Sequence, residues 1–404
     1  MPPYEKFSIA LSAKAVNIRH LTRTIWLVSL VSLFTDVASE MLYPVMPIYL
    51  SSIGFSIVWI GLLEGVAEAT AGLSKGFFGR WSDVTGKRVP FVRVGYLLSA
   101  VAKPLIIAAA NPLWVFFCRT ADRLGKGIRT GARDALLSAE TDAANKGKVF
   151  GFHRGMDTLG AAVGPALALL WLWQNPGSYH KLFLFAVIPG LLAVALTLLL
   201  KDKLTHGTVK AKMRWWDFLH YYKSAPDAYR HTVNGLLLFT LFNSSDVFLL
   251  LLLKWRGFSD QQVIGAYIFY NLVYALFSYP MGKLGDAIGL KKTFLGGLTL
   301  FIVVYVTIAF AQNFYVLLGL FFLYGIYAAM TDGISKAWVT NLCKTEDTAT
   351  AVGTYTAFAS IATMLASLTA GLIWRFAAPE ATFFVAAGGA ALAAMYLGSK
   401  KPSR

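Results

Sequence analysis

Apolar residues run along this chain in long blocks broken by short polar stretches, and the two-residue alternation of a membrane barrel strand is absent. Crossing about 30 Å of bilayer hydrocarbon takes roughly 20 apolar residues in a helix. Blocks of that size cover residues 26–50, 57–78, 91–110, 113–136, 148–173, 181–200, 232–253, 261–282, 293–311, 315–341, 349–374 and 381–398, which makes twelve. Helices are the expected spanning element, because backbone groups in lipid must find their partners within the segment. The polar stretch 201–230 leaves six blocks on each side. The pattern therefore predicts an all-α integral membrane protein with six-helix bundles over 1–200 and 231–404, joined by a linker.

The two sides repeat one another. Gly79-Arg-Trp-Ser-Asp83-Val-Thr-Gly86-Lys87-Arg88 returns as Gly282-Lys-Leu-Gly-Asp286-Ala-Ile-Gly289-Leu-Lys291-Lys292, an offset of 203 residues that also carries Gly54-Phe55-Ser56 onto Gly257-Phe258-Ser259. Internal duplication in a mostly apolar chain points to a secondary transporter with its substrate between two similar halves.

Composition agrees with a membrane setting: 56% of residues are hydrophobic and 14% charged, far too apolar for a chain of 404 residues in water. Positive residues sort by loop. Lys6, Lys14, Arg19 and Arg23, the loops at 80–93 and 283–292, the linker's Lys201, Lys203, Lys210, Lys212, Arg214, Lys223 and Arg230, and the tail's Lys400, Lys401 and Arg404 fall on one side. The other side holds Lys181, Lys254, Arg256 and Arg375. Positive residues stay inside, so both termini are expected in the cytoplasm and the chain in the cell's inner or plasma membrane as a multi-pass protein. The net charge of +16 then reflects orientation toward anionic lipid and calls for no nucleic acid. Trp215 and Trp216 suggest an amphipathic stretch of linker at headgroup depth, or a solvated loop. The first apolar block is a full span with no cleavage site for a leader. Cys118 and Cys343 read as small buried residues, and the sequence has neither clustered Cys/His metal spacing nor a phosphate-cradling loop, so no cofactor is expected.

The loop at 79–88 and its copy at 282–292 resemble the paired signature of the major facilitator superfamily, and the similarity covers essentially the whole chain. Arg123-Leu-Gly-Lys126-Gly127 resembles that family's fourth-helix motif, with Lys126 where Gln is usual and Arg129 where a small residue is usual. Gly160-Ala-Ala-Val-Gly164-Pro165 resembles the fifth-helix motif of antiporters, with Ala168-Leu169 in place of its closing glycines. Pro44-Val-Met-Pro47 resembles the first-helix motif of drug exporters without its upstream Leu-Gly. The resemblance implies two six-helix bundles rocking about a central site, and lies closest to a bacterial branch of efflux proteins.

Charges inside the spans carry the candidate chemistry, since each costs about 2.5–3.5 kcal/mol at a helix centre and must face the bundle interior or a water-filled cavity. Asp36 and Glu40, then Glu64 and Glu68, are pairs four residues apart on the first two helices. Asp122, Lys126, Arg129 and Arg133 form a stripe on the fourth, with Arg123 beside it. Arg123, Lys126, Asp36 and Glu40 are expected near the midplane. Asp36, Glu40 and Arg123 read as proton-coupling groups, whereas Arg133, Asp134 and Arg154 read as structural pairs and His153 as either. In the second half Asn243, Ser244, Ser245 and Asp246 interrupt the seventh helix, Tyr270 belongs to an aromatic cluster on the eighth, and Asp332 with Lys336, four apart, are expected to pair. Asp83 with Arg88 is a latch candidate and Asp286 its weaker counterpart. Gly79, Gly86 and Gly282 let backbones approach and turn, and Gly160, Gly164 and Pro165 serve packing or gating.

These residues predict a monomeric, proton-coupled carrier of a small organic solute, with export ahead of import. A proton-driven importer of an anionic or zwitterionic solute is the first competitor, suggested by Arg123, Lys126 and Arg129. A membrane-embedded enzyme is the competitor from another class, and no nucleophile with its base supports it.

Overall fold

The computed structural model describes residues 21–43, 46, 49–50, 53–54, 57–175, 177–202 and 217–399. Pro44, Pro47, Trp215, Trp216 and the side chains of Glu64 and Glu68 lie outside the described residues. The first half comprises α1 (Arg23–Leu42), α2 (Ile57–Thr85), α3 (Val89–Leu105), α4 (Pro112–Ala139), α5 (Lys146–Gln174), α6 (Tyr179–Phe185) and α7 (Val187–Leu198). A short helix α8 (Asp217–Ser224) leads into the second half: α9 (Asp227–Phe242), α10 (Val247–Trp255), α11 (Asp260–Ile288), α12 (Leu290–Phe310), α13 (Phe314–Asn341), α14 (Thr348–Phe376) and α15 (Pro379–Ser399).

Among the described residues ten helical stretches are long and apolar enough to cross a membrane, the α6–α7 and α9–α10 pairs each counting as one. The remaining two long helices, α2 and α4, run 29 and 28 residues, and α4 carries seven charged side chains, more than a lipid-facing helix tolerates. Their packing explains why they can cross: α4 lies against both α2 and α3, and α2 is flanked on its other side by α14. Arg119, Asp122, Arg129, Arg133 and Asp134 of α4 are all buried. Twelve crossings result.

Local chemistry repeats along with the fold. Asn111 caps α4 through Oδ1, which accepts from Leu113 N at 2.9 Å, and Asn313 caps α13 through Oδ1 with Tyr315 N at 2.8 Å. The turns at Gly86 (φ +65°) and Gly289 (φ +100°) need the left-handed region and stand 203 residues apart, as do those at Gly54 and Gly257. Between α9 and α10 the backbone leaves the helix at Asn243-Ser244-Ser245-Asp246, residues whose short polar side chains compete for backbone hydrogen bonds.

The linker departs from expectation at both ends of its described part. Helix α9 begins at Asp227, directly after Pro226, so the last residues assigned to the linker are helical. Helix α8 does more than rest on a surface: Phe218 is 2% exposed, its ring fills the space above Gly76 of α2, and its carbonyl accepts from Thr354 Oγ1 of α14 at 3.3 Å.

One ion pair is a purely architectural element. Lys103 of α3 donates to Asp122 at 3.0 Å, with Arg119 at 3.6 Å on the other carboxylate oxygen. Replacing Lys103 with Met strands a buried carboxylate and is expected to cost about 3 kcal/mol. The double variant Lys103→Met/Asp122→Leu should regain most of it. Thermal unfolding of the detergent-purified protein reads both, and a single variant as stable as wild type would refute the pairing's role.

Candidate functional site

A cavity of about 970 Å³ lies between the halves, and a lobe of about 360 Å³ shares Lys75, Lys126, Arg154, Asp157, Lys336 and Thr356 with it. Among the described residues the lining holds seven cationic side chains, Lys75, Arg123, Lys126, Arg129, Arg133, Arg154 and Lys336, against five carboxylates, Asp36, Glu40, Asp157, Asp246 and Asp332. Most of the cations come from α4, and three of the four residues of its stripe, Lys126, Arg129 and Arg133, line the cavity.

Each half supplies a distinct wall. Asp36 and Glu40 of α1 line the lobe beside Lys126. Asp157 of α5 takes the Ser32 hydroxyl on one oxygen and Arg154 at 2.8 Å on the other, and its carboxyl also meets that of Asp36. Gly160 makes this contact possible, because a side chain there would lie 2.9 Å from Asp36 Cβ; Gly164 packs in the same way on Val37 and Met41. Together with the buried Pro165 they belong to the contact of α5 with α1 inside the first half. Arg129 turns toward α3, donating to Ser99 Oγ at 2.8 Å over the ring of Tyr96. Asp122 is held by Lys103 and does not line the cavity. In the second half Tyr270 and Tyr324 donate to Asp246 at 2.7 and 2.6 Å, while Asn243 donates to Tyr327 Oη at 3.2 Å, away from the cavity.

Asp332 and Lys336 do not pair with each other, contrary to their spacing. Asp332 accepts from Arg154 at 2.9 Å and from Tyr274 at 2.5 Å, and Lys336 lies 3.0 Å from Asp134, which also accepts from Arg133 at 3.0 Å. Both Arg154 and Asp134 belong to the first half. Fully buried Asp134 and the bidentate reach of Arg154 outcompete a one-turn neighbour, so the two ion pairs cross between halves. Lys75 and Lys103 are the site and frame residues that the sequence pattern did not single out, while Arg154, read from the sequence as a structural pair, lines the cavity. The signal available for Lys103 and Lys75 was simply a charge inside an apolar block.

Beyond the ion pairs, the halves meet at one end through two related contacts. Asp83, ion-paired with Arg88, accepts from Thr350 N at 2.5 Å, Thr350 Oγ1 at 2.6 Å and Ala349 N at 3.3 Å. Asp286 accepts from Gly147 N at 2.7 Å and Lys148 N at 2.8 Å. Each aspartate thus sits on the N-terminus of a helix in the opposite half, where unsatisfied N–H groups and the helix dipole favour an anion. Bare backbone makes room: a side chain on Gly79 would strike the Ala349 carbonyl, and one on Gly147 would lie 2.5 Å from that of Gly282.

Twelve crossings in two similar halves, a charged central cavity and paired aspartate contacts define a membrane carrier. The model of the Major Facilitator Superfamily matches residues 28–269 and 232–404, and the chain belongs to that family. An uncharacterized MFS-type transporter of Methanocaldococcus jannaschii is 33% identical over 91% of this chain and 92% of its own length. Citrate exporter 1 of Aspergillus niger is 25% identical over 46% of this chain and 36% of its length. Among solved structures, the human organic anion transporter MFSD10 superposes with a TM-score of 0.79 at 17% identity, covering 95% of this chain and all of that one. The protein is accordingly a multi-pass transporter of the plasma membrane.

Removing the charge of Asp83 should loosen the closed end, at some cost to the Arg88 pair inside the first half. An anion at a helix N-terminus contributes about 1–2 kcal/mol in a partly buried setting, so Asp83→Asn is expected to shift the balance of states by roughly five- to thirtyfold. A cysteine introduced at Ser360 should label faster from the closed side in that variant. Unchanged labelling on both sides would reject the latch.

Proposed function

We propose that this protein is a proton-coupled secondary transporter that exports a small organic anion by alternating access. The observation that carries the reading is the excess of cations around a cavity sealed at one end by contacts that can be broken. Similarity to a citrate exporter and to an organic anion transporter supports the same solute class. The sealed end carries the basic loops, which the positive-inside rule assigns to the cytoplasm, so the arrangement described corresponds to the outward-facing state.

The ion pairs crossing between halves suit a rocking carrier because each member has a second partner in its own half. When the sealed end separates, Arg154 keeps Asp157 and Asp134 keeps Arg133. Asp332 and Lys336, one helical turn apart, then become partners. No buried charge is stranded in either state. The Asp36 and Asp157 carboxyls, in contact across α1 and α5, repel when both are ionised and can share one proton, which makes them the coupling pair in this reading. Glu40, Arg123 and Lys126 line the adjacent solute path.

Reconstituted protein tests coupling and direction together. Asp36→Asn and Asp157→Asn should abolish accumulation driven by a pH gradient while exchange of labelled organic acid persists, and Arg123→Ala should lose both. Reversing the gradient gives the direction. Wild-type rates and pH dependence in both carboxylate variants would defeat the coupling assignment, and chemical alteration of the solute would replace transport with enzymatic activity.

A further inference from the structure

Three buried carboxylates described above, Asp122, Asp134 and Asp157, hold a Lys or Arg, and so does the exposed Asp332. Asp246 is held differently. It stands where the helix breaks between α9 and α10, half-buried and lining the smaller lobe, and its two oxygens accept from Tyr270 of α11 and Tyr324 of α13. Among the described residues no cationic nitrogen makes an ion pair with it. Hydroxyl donors fix the carboxylate's orientation but bring no positive charge, and each oxygen keeps a second lone-pair direction. A carboxylate so arranged presents a fixed negative charge to whatever enters the lobe.

Aromatic faces surround that charge. The Tyr270 ring lies 5.2 Å from Tyr324, 6.1 Å from Tyr267 and 6.2 Å, stacked, from Tyr274. Tyr267, Tyr270 and Tyr274 line the same lobe as Asp246. Ring faces attract an organic cation, and together with a carboxylate they form a site for an ammonium group. Other titratable groups near this corner are Tyr305 of α12, Glu40 of α1 beside Tyr267, and the Asp332–Arg154 pair, where Arg154 lies over Tyr274. Across the cavity the α4 wall offers Arg123, Lys126 and Arg129.

We propose that the Asp246–Tyr270–Tyr324 corner is the subsite for an ammonium group, so that the transported solute is a zwitterion whose carboxylate faces α4 and whose amine faces Asp246. This rests on the organic anion reading and narrows it. The α4 wall is rich in cations, with Asp36 and Glu40 beside them, while the Asp246 corner presents a carboxylate held by hydroxyls, and a solute with both charges meets the two together. A simple anion leaves the Asp246 corner without a ligand, and a simple amine leaves the α4 cations without one.

Thermal shifts of the purified full-length protein test the subsite with matched acids at millimolar concentration: glutamate against glutarate, phenylalanine against 3-phenylpropionate, and citrate as an amine-free control. Wild type should be stabilised more by the amine-bearing member of at least one pair. Asp246→Asn should erase that preference, weakening the amino acid about tenfold or more while leaving the amine-free acids unchanged, and Asp246→Glu should restore part of it. The wild-type comparison stands even where a variant fails to fold. Equal stabilisation within every pair, or a preference that survives Asp246→Asn, overturns the subsite and leaves the anion reading intact. Stabilisation by sodium chloride that depends on Asp246 also overturns it, assigning the corner to an inorganic cation. Absence of any shift with every acid sinks both readings.

Discussion

Helix α4 carries seven charged side chains through the middle of a membrane, and the packing of the molecule follows from how they are compensated. An exposed charge at that depth is not tolerated, so α4 takes the interior position, with α3 supplying Lys103 and Ser99 on one side and α1 and α5 supplying carboxyls and hydroxyls on another. The lipid-facing work passes to the apolar helices. The same charges, once internal, create a water-accessible space that an apolar bundle would have closed. Stability and site therefore have one origin: the helix least suited to lipid defines the cavity.

Duplication gave the sealed end two chemically unequal contacts. Both aspartates sit on helix N-termini of the opposite half, and both rely on glycine where backbones meet. Asp83 has an Arg88 guanidinium and a threonine hydroxyl in addition, while Asp286 relies on backbone amides. The sequence hints at this inequality, since the first copy keeps Arg88 while the second shifts its basic residues to Lys291 and Lys292. The partner itself was not legible. A loop Asp followed by a basic residue suggests an ion pair, and only the fold reveals that its second ligand is the start of α14.

Periodicity and punctuation made the architecture readable: apolar blocks gave the spans, the Asn-Ser-Ser-Asp run gave the break between α9 and α10, and repeated glycines gave the turns. Pairing of buried charges was harder. Asp332 and Lys336 have ideal spacing for each other, yet a facing helix presents stronger partners, because side-chain choice in a low-dielectric interior is decided by which groups share a depth and azimuth. Sequence spacing fixes neighbours along one helix and says nothing of the rotation of the next. Phe218 escaped notice for a related reason. In a basic linker one apolar residue carries no periodic signal, and its burial depends on the gap above Gly76.

An interface that must open repeatedly cannot be built like a core. A large apolar contact between the halves would cost about 25 cal/mol for each Å² exposed to water on every cycle. Ion pairs and hydrogen bonds to helix ends behave differently, because their groups can exchange partners or take up water, so the net cost of parting is a small difference between two satisfied states. Many of the crossing contacts here are of that kind: Asp83 and Asp286 on backbone amides, Lys75 on Ser360, Arg154 and Lys336 on carboxylates. Between them lie glycines, which bury almost no side-chain surface. Each half retains its own apolar core, aromatic and extensive in the second half around Phe239, Phe301, Tyr305 and Phe383. Two large apolar clusters thus lie each within one half, and much of the seam between the halves is made of groups that can exchange partners.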